Sequence, residues 1–254
     1  MAQISIITVT RNSADTLEET LQSLYSQSLF QQGEVEHIVI DGDSTDQTLE
    51  ILKKYSSNIT TLVSEPDDGI YDAMNKGIAL AHSNIIGILN SDDVYETPSI
   101  LENVAKVMNL KNIDLVYADL VYFKSDAPKK ITRRYRSNFF RLDKFSYGLM
   151  PAHPTIFVRR SVYENLGVFD STFRIAGDFD WLARVFKSNS VSILYIPEVF
   201  LRMRTGGQSS SNLRGLIIKN REILRSCTKN KISTSYLKIC LRFFGKALES
   251  FRTK

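Results

Sequence analysis

Cysteine is nearly missing from this chain of 254 residues: Cys227 and Cys240 are the only two. Two late thiols can neither staple a fold nor cage a zinc ion. Such usage suits a reducing, cytoplasmic compartment. No apolar run approaches the roughly 20 residues that a membrane-spanning helix needs. The opening MAQISIITVTRN lacks a basic stretch and a cleavage site, so it reads as a first strand, not a signal peptide. Neither GxxxxGKS/T nor GxGxxG occurs, which removes the P-loop and the dinucleotide fingerprint. There are no internal repeats and no low-complexity tract.

What is present is a chain long enough to bury a substantial core, with an uneven charge. The net charge is +4. Residues 215–254 hold ten Lys and Arg against two Glu, a balance of +8, so residues 1–214 stand at −4. A basic tail on a mildly acidic body points to a partner for the tail.

Ile4–Val9 is almost continuously apolar, as a strand covered on both faces should be. Leu17, Leu21, Leu24 and Tyr25 then repeat at helical spacing. Val35–Ile40 reads as a strand. Ser44-Thr45-Asp46-Gln47 resembles a capping box before a helix with Leu49, Leu52 and Tyr55 inward. Ile59–Val63 is a third strand. Ile70, Ala73, Met74, Gly77, Ile78 and Ala81 form the next helical face. Ile85–Leu89, a helix after Pro98, and a strand at Asp114–Val121 follow. Alternation of this kind predicts βαβ units in a mostly parallel α/β sheet. Lys124–Phe145 reads as a hairpin or mobile loop, and Val191–Ile196 as a late strand.

Three acidic loops follow three of these strands: Asp41-Gly42-Asp43, Glu65-Pro66-Asp67-Asp68-Gly69 and Asp92-Asp93. In a parallel sheet all three emerge at one edge, where open α/β sheets bind ligands. Adjacent carboxylates repel unless a cation or solvent relieves them. Hard oxygen ligands suit Mg2+ or Mn2+, which share substrate phosphates. With no P-loop available, this predicts a metal-bridged diphosphate at that edge.

The segments VEHIVIDGDSTDQT, SEPDDGIYDAMNKGIALAHSNIIGILNSDD and AHPTIFVRRSVYENLGVFDSTFRIAGDFDWLARV, in that order, resemble a family-two glycosyltransferase of the GT-A fold. The likeness covers about residues 3–205 and is similar to a bacterial subgroup that builds cell-surface polysaccharides. It implies a nucleotide-sugar half, 1–122, an acceptor and catalytic-base half, 123–205, and a separate tail, 206–254. Thr10, Arg11, Asn12 and Asp41 match positions lining the base and ribose pocket. Asp43 is inverted with Gly42 relative to the usual acid pair. Asn75 and Gly77 match a helix motif in which Met74 replaces a common Arg, so the resemblance hands phosphate contact to Lys76. Asn90-Ser91-Asp92 stands at the metal motif, with Asp93 as the implied direct metal ligand and Asp92 on ribose or on a metal-bound water. Asp178 matches the catalytic base, although Gly177 replaces the acid that commonly precedes it; apart from the resemblance, Asp178 reads as an acid favouring the dipole at the start of a helix carrying Leu182 and Val185.

The functional expectation is inverting transfer from a nucleoside-diphosphate sugar, a UDP-sugar foremost, to a lipid-linked glycan acceptor. A carboxylate takes the acceptor proton while a divalent metal stabilises the departing diphosphate. His153 is either a loop residue or an acceptor-site group. Trp181 is a sugar-stacking floor or core packing. Arg202 and Arg204, before Gly206-Gly207, resemble a loop closing over diphosphate. A nucleotidyltransferase would show a Gly-rich basic loop where Thr10-Arg11-Asn12-Ser13 stands. An inactive sugar-nucleotide or glycan-binding protein is the other rival, and nothing resembles a nucleic-acid reading element. In the tail, Leu237, Cys240, Leu241, Phe244 and Leu248 repeat at helical spacing among cations. This predicts a helix lying on the anionic inner face of the plasma membrane, or one packed on its own domain or on a second subunit.

Overall fold

The computed structural model describes residues 3–138, 140–205 and 213–241. In chain order the elements are β1 (Ile4–Thr10), α1 (Leu17–Tyr25), α2 (Ser28–Gln31), β2 (Val35–Asp41), α3 (Thr48–Lys54), β3 (Thr61–Ser64), α4 (Ile70–Leu80), β4 (Ile85–Ile88) and β5 (Asp93–Tyr95). There follow α5 (Ile100–Leu110), β6 (Leu115–Lys124), β7 (Ala127–Tyr135), β8 (Phe157–Arg159), α6 (Arg160–Leu166), α7 (Gly177–Lys187), β9 (Ile193–Arg204) and α8 (Leu213–Lys229).

The strands form one sheet in the order β3-β2-β1-β4-β8-β6-β9-β5, with β7 on the far side of β6. The β3-β2-β1-β4 half is parallel throughout. Beyond it the sheet is mixed: β8 runs against both β4 and β6, and β5 against β9. Side chains of β1 and β2 divide by parity. Ile7, Val9, Ile38 and Ile40 enter a core shared with α4 and α7, while Ile4, Ile6 and Val39 enter one shared with α1 and α5. Burial on both faces explains the unbroken apolar runs, each large side chain contributing about 1.5–3 kcal/mol.

Four sequence expectations change, the first being that Leu49 of α3, expected inward, is exposed. The late strand continues past Ile196 to Arg204, because Pro197 falls where the β6–β9 register shifts and costs no ladder bond there. The Ser44–Gln47 capping box does not form: α3 starts at Thr48, whose N–H is accepted by Asp46 Oδ1 at 3.0 Å and not by Gln47, and the Ser44 hydroxyl serves Asp41 instead. On α4 the inward face holds Tyr71, not Ile70, which is 44% exposed.

Helix α8 joins the main body. Its Ile223 and Cys227 lie in the core with α7, as does Ile239 beyond it. Buried Asp180 on α7 accepts hydrogen bonds from Lys229 Nζ and Asn230 Nδ2, both at 3.0 Å. The Glu222 carboxylate accepts the main-chain N–H groups of Arg174, Ile175 and Ala176 at 2.8, 2.9 and 2.8 Å. Residues 236–241 are again helical, with Leu237 and Leu241 exposed. Phe244, Leu248 and Gly206-Gly207 lie outside the described residues.

Candidate active site

Strands β1, β2 and β4 run parallel, so their carboxyl ends deliver their loops to one edge. Asp41 is fully buried there. It accepts Ser44 N–H at 3.0 Å, Ser44 Oγ–H at 2.5 Å and Ser64 Oγ–H at 2.7 Å. The Asn12 N–H donates to Ser44 Oγ, and Asn12 Oδ1 accepts from Thr45 N–H, both at 2.8 Å. Asn12 holds φ +49°, a conformation its short polar side chain tolerates. Ser13 Oγ lies 2.8 Å from Ser91 Oγ and so joins the β1 and β4 loops. Gly42 closes the set: a Cβ there would stand 2.3 Å from Asp67 Oδ2 and 3.3 Å from Arg11 Cδ. Any larger residue there would push the Asp67 carboxylate out of its place against the first loop. Around this frame Arg11 and Asn12 are exposed, and the buried Thr10 Oγ1 has no partner among the described residues.

Asp93 opens β5 and is fully buried, while Asp92 is half-buried. Asn90 Nδ2 donates to Asp93 Oδ2 at 2.9 Å. Asp93 Oδ1 and Asn90 Oδ1 are buried with no partner among the described residues. Burial, then the neighbouring Asp92 charge, pushes the Asp93 carboxyl well above the usual carboxylate range. Burial also raises Asp92, against the pull of Arg204. Unsatisfied buried oxygens beside an acid pair are what a hard divalent cation would relieve. Among the described residues no group of three or more His, Cys, Asp or Glu could hold a metal ion. A cation here would therefore complete its shell with water and ligand oxygens, as Mg2+ and Mn2+ do in phosphate sites.

Arg202 and Arg204 are strand residues of β9, facing the Phe123 ring at 4.8 and 5.0 Å. Arg204 pairs with Glu19 and donates to Ser125 Oγ at 3.3 Å. Arg202 Nε lies 3.6 Å from Glu96. Of the two, Arg204 is the one whose charge reaches Asp92. Lys76 is committed to the second acidic loop, 2.8 Å from Glu65 and 3.4 Å from Asp72, and donates to Pro66 O at 3.1 Å.

The acid expected as a base sits in the first turn of α7. Asp178 Oδ1 accepts its neighbour's Phe179 N–H at 2.8 Å, and the Tyr71 hydroxyl lies 3.2 Å away. Tyr71 OH also reaches Ile175 O at 2.8 Å. Burial, then the Asp178 charge, holds the Tyr71 hydroxyl well above its ordinary range, so it stays a donor. The Tyr71 ring explains the missing acid at 177: a Cβ on Gly177 would stand 2.8 Å from that ring. His153 is buried, its ring edge-on to Phe169 with centroids 5.6 Å apart. Burial lowers its pKa against the opposing pull of Asp178, so the imidazole is neutral.

Two expected site residues are structural. Trp181 is fully buried, stacks on Tyr163 at 4.7 Å and donates Nε1–H to Gly167 O at 2.9 Å, so it offers no face to a sugar. Asn75 spends both amide ends on the Phe169 main chain, donating at 2.9 Å and accepting at 3.0 Å. Its place in the helix motif is a clasp between α4 and the segment after α6. Tyr71, Ser44, Ser64 and Glu222 are the residues that sequence reading passed over. Tyr71 lay inside the quoted GIYDAMNKG, but helical spacing alone did not distinguish its hydroxyl from any other.

The sequence profile described as Glycosyl transferase family 2 matches residues 5–167. The chain belongs to that family. It is 29% identical over 213 residues to a PGL/p-HBAD biosynthesis glycosyltransferase of Mycobacterium tuberculosis, covering 82% of this chain and 79% of the relative. Against glycosyltransferase AglE of Haloferax volcanii it is 27% identical over 186 residues, covering 71% and 60%. The fold is similar to S. aureus TarS 1-349 in complex with UDP-GlcNAc, with TM-score 0.68 and 20% identity over 89% of this chain and 66% of that one. It spans 39% of a longer TarS chain. Mannosyltransferase PcManGT from Pyrobaculum calidifontis, in complex with GDP-Man and Mn2+, aligns with TM-score 0.67 and 19% identity over 92% of this chain and 65% of that one. These likenesses establish a GT-A glycosyltransferase architecture for this member of the family.

Proposed function

We propose that this chain transfers a sugar, with inversion, from a nucleoside-diphosphate sugar to a hydroxyl of a lipid-linked glycan acceptor in surface polysaccharide synthesis. The observation that carries the reading is the presence of two unlike acid sites: fully buried Asp93, whose Oδ1 has no partner among the described residues, beside half-buried Asp92, and the separately held Asp178. Arg11 and Asn12 form an exposed lip beside the buried Thr10 and Asp41, and this lip is where the base and ribose dock. Asp93 would hold a divalent metal, with Asp92 on ribose or on a metal-bound water, and the metal when bound neutralises charge on the diphosphate leaving group. Arg204 lies on the same side of that charge. Asp178 takes the proton of the acceptor hydroxyl as the acceptor oxygen forms its bond to the anomeric carbon. The pair of electrons in the breaking glycosyl–phosphate bond departs with the diphosphate. The bound donors of TarS and PcManGT favour a nucleotide sugar over a nucleotidyl-transfer substrate, and a UDP-sugar is the proposed donor.

The test is a calorimetric titration with UDP-GlcNAc, UDP-galactose and GDP-mannose, with Mn2+ and with excess chelator. The expected outcome is binding of a UDP-sugar that weakens at least tenfold in chelator. Equal affinity in both conditions would remove the metal role, and no binding of any donor would remove the reading.

A further inference from the structure

Tyr71 lies more than a hundred residues from Asp178 in sequence, yet its hydroxyl sits between Asp178 Oδ1 at 3.2 Å and the Ile175 carbonyl at 2.8 Å. It has one proton for two acceptors. The ring is buried, and Gly177 is the residue that gives it room. The Ile175 carbonyl is itself fixed, because the N–H groups of 174–176 are bonded to Glu222 on α8. The hydroxyl is thus placed from both sides and is not a mobile donor that happens to lie nearby.

Both hydrogen bonds to Asp178 fall on Oδ1, and among the described residues Oδ2 receives none. We propose that Tyr71 is the positioning residue of the base: it holds Oδ1 while Oδ2 is left to take the acceptor's proton. The proposal rests on Asp178 being that base. An ionised carboxylate is a stronger acceptor than a neutral carbonyl, so the Tyr71 proton turns to Oδ1 while Asp178 is charged. When Oδ2 has received the acceptor's proton, the acid is neutral and the Tyr71 proton finds its shorter partner, Ile175 O. The hydroxyl therefore supports the carboxylate most when it is ready to react. The balance is simple. The acceptor O–H bond breaks and an Oδ2–H bond forms. The acceptor oxygen bonds the anomeric carbon, and the diphosphate leaves with its electron pair. Asp178 later returns the proton to water. The groups around this carboxyl are Tyr71 from α4, neutral His153, and Glu222 acting through the 174–176 main chain.

The test compares Tyr71→Phe, Asp178→Asn and the double variant. The readout is release of nucleoside diphosphate from UDP-GlcNAc with water as acceptor, together with calorimetric donor affinity. Tyr71→Phe keeps the buried ring, and its melting curve checks the fold. The expected result is a kcat loss of about tenfold to hundredfold with donor affinity and KM unchanged, the size of a lost hydrogen bond to a charged group. In the Asp178→Asn background the same change should add nothing, because Tyr71 acts through the carboxylate. A Tyr71→Phe enzyme with wild-type kcat beside an inactive Asp178→Asn would overturn the tether and leave the base in place. A loss by Tyr71→Phe that persists undiminished in the Asp178→Asn background would also overturn it. Wild-type turnover by Asp178→Asn would instead overturn the base.

Discussion

His37 shows how a single residue sets a pH dependence away from any chemistry. It is fully buried on β2, with Thr8 Oγ1 at 3.1 Å from Nε2 and Tyr25 OH at 3.0 Å from Nδ1. A neutral ring satisfies both hydroxyls as one donor and one acceptor. Burial lowers its pKa from 6.5 to about 3. The folded state therefore refuses a proton that the unfolded chain takes up below its ordinary pKa. Stability is full above that value and is lost as pH falls towards the folded one. Between pH 7 and pH 5 this group alone should cost about 2 kcal/mol. Urea unfolding at both pH values checks it: His37→Gln should be less stable at pH 7 but lose about 2 kcal/mol less on acidification. An equal loss in both proteins would mean that His37 does not carry the dependence. Residues also mark where sequence reading stopped. Asp93 and Asp178 stood out in the sequence only through the convergence of strand-end loops and the family resemblance, since an acid at a strand end or in a first helical turn is ordinary on its own. Trp181 takes the core-packing alternative, and the partners that consume the polar atoms of Trp181 and Asn75, Gly167 and Phe169, are 14 and 94 residues away, beyond the reach of local spacing.

At the scale of elements, the parallel half of the sheet was legible because each unit is local. An apolar run predicts a strand buried on both faces, and 3.6-residue spacing predicts its covering helix. The second half was not, because β8 and β9 pair with strands distant in sequence and Pro197 disguised the length of β9. The tail combines a docked part with an outward one. Its Ile223, Cys227 and Ile239 face inward, while Leu216, Ile217, Tyr236, Leu237 and Leu241 are exposed among cations. Membrane attachment through this outward face is our proposal. Each cation near an anionic surface contributes about 1 kcal/mol, and salt screens it over about 10 Å at 0.1 M. Cutting the chain at Asn212 would strip Asp180 of its partners and expose core, so substitutions are the cleaner probe. Full-length protein should sediment with phosphatidylserine vesicles at low salt, and Leu237→Glu with Leu241→Glu should release it. Wild-type protein remaining in the supernatant would leave the outward face to another subunit.

For the whole molecule, the sheet brings three loops of the first half to one edge, and Tyr71 of α4 bonds Asp178 in the first turn of α7. Helix α8 then locks α7 through Asp180 and the approach to α7 through Glu222. Among the described residues no helix is long and apolar enough to cross a membrane. The central claim is that this arrangement performs inverting transfer with Asp178 as base. Its most direct test is proton NMR of the anomeric position during turnover, with Mn2+ and water as acceptor, of whichever α-linked nucleotide sugar binds in the calorimetric titration. The account predicts that the first sugar released is the β anomer, ahead of mutarotation. It also predicts that Asp178→Asn binds the donor with unchanged affinity and releases almost none. Release of the α anomer first, or β release at the wild-type rate by Asp178→Asn, would contradict it.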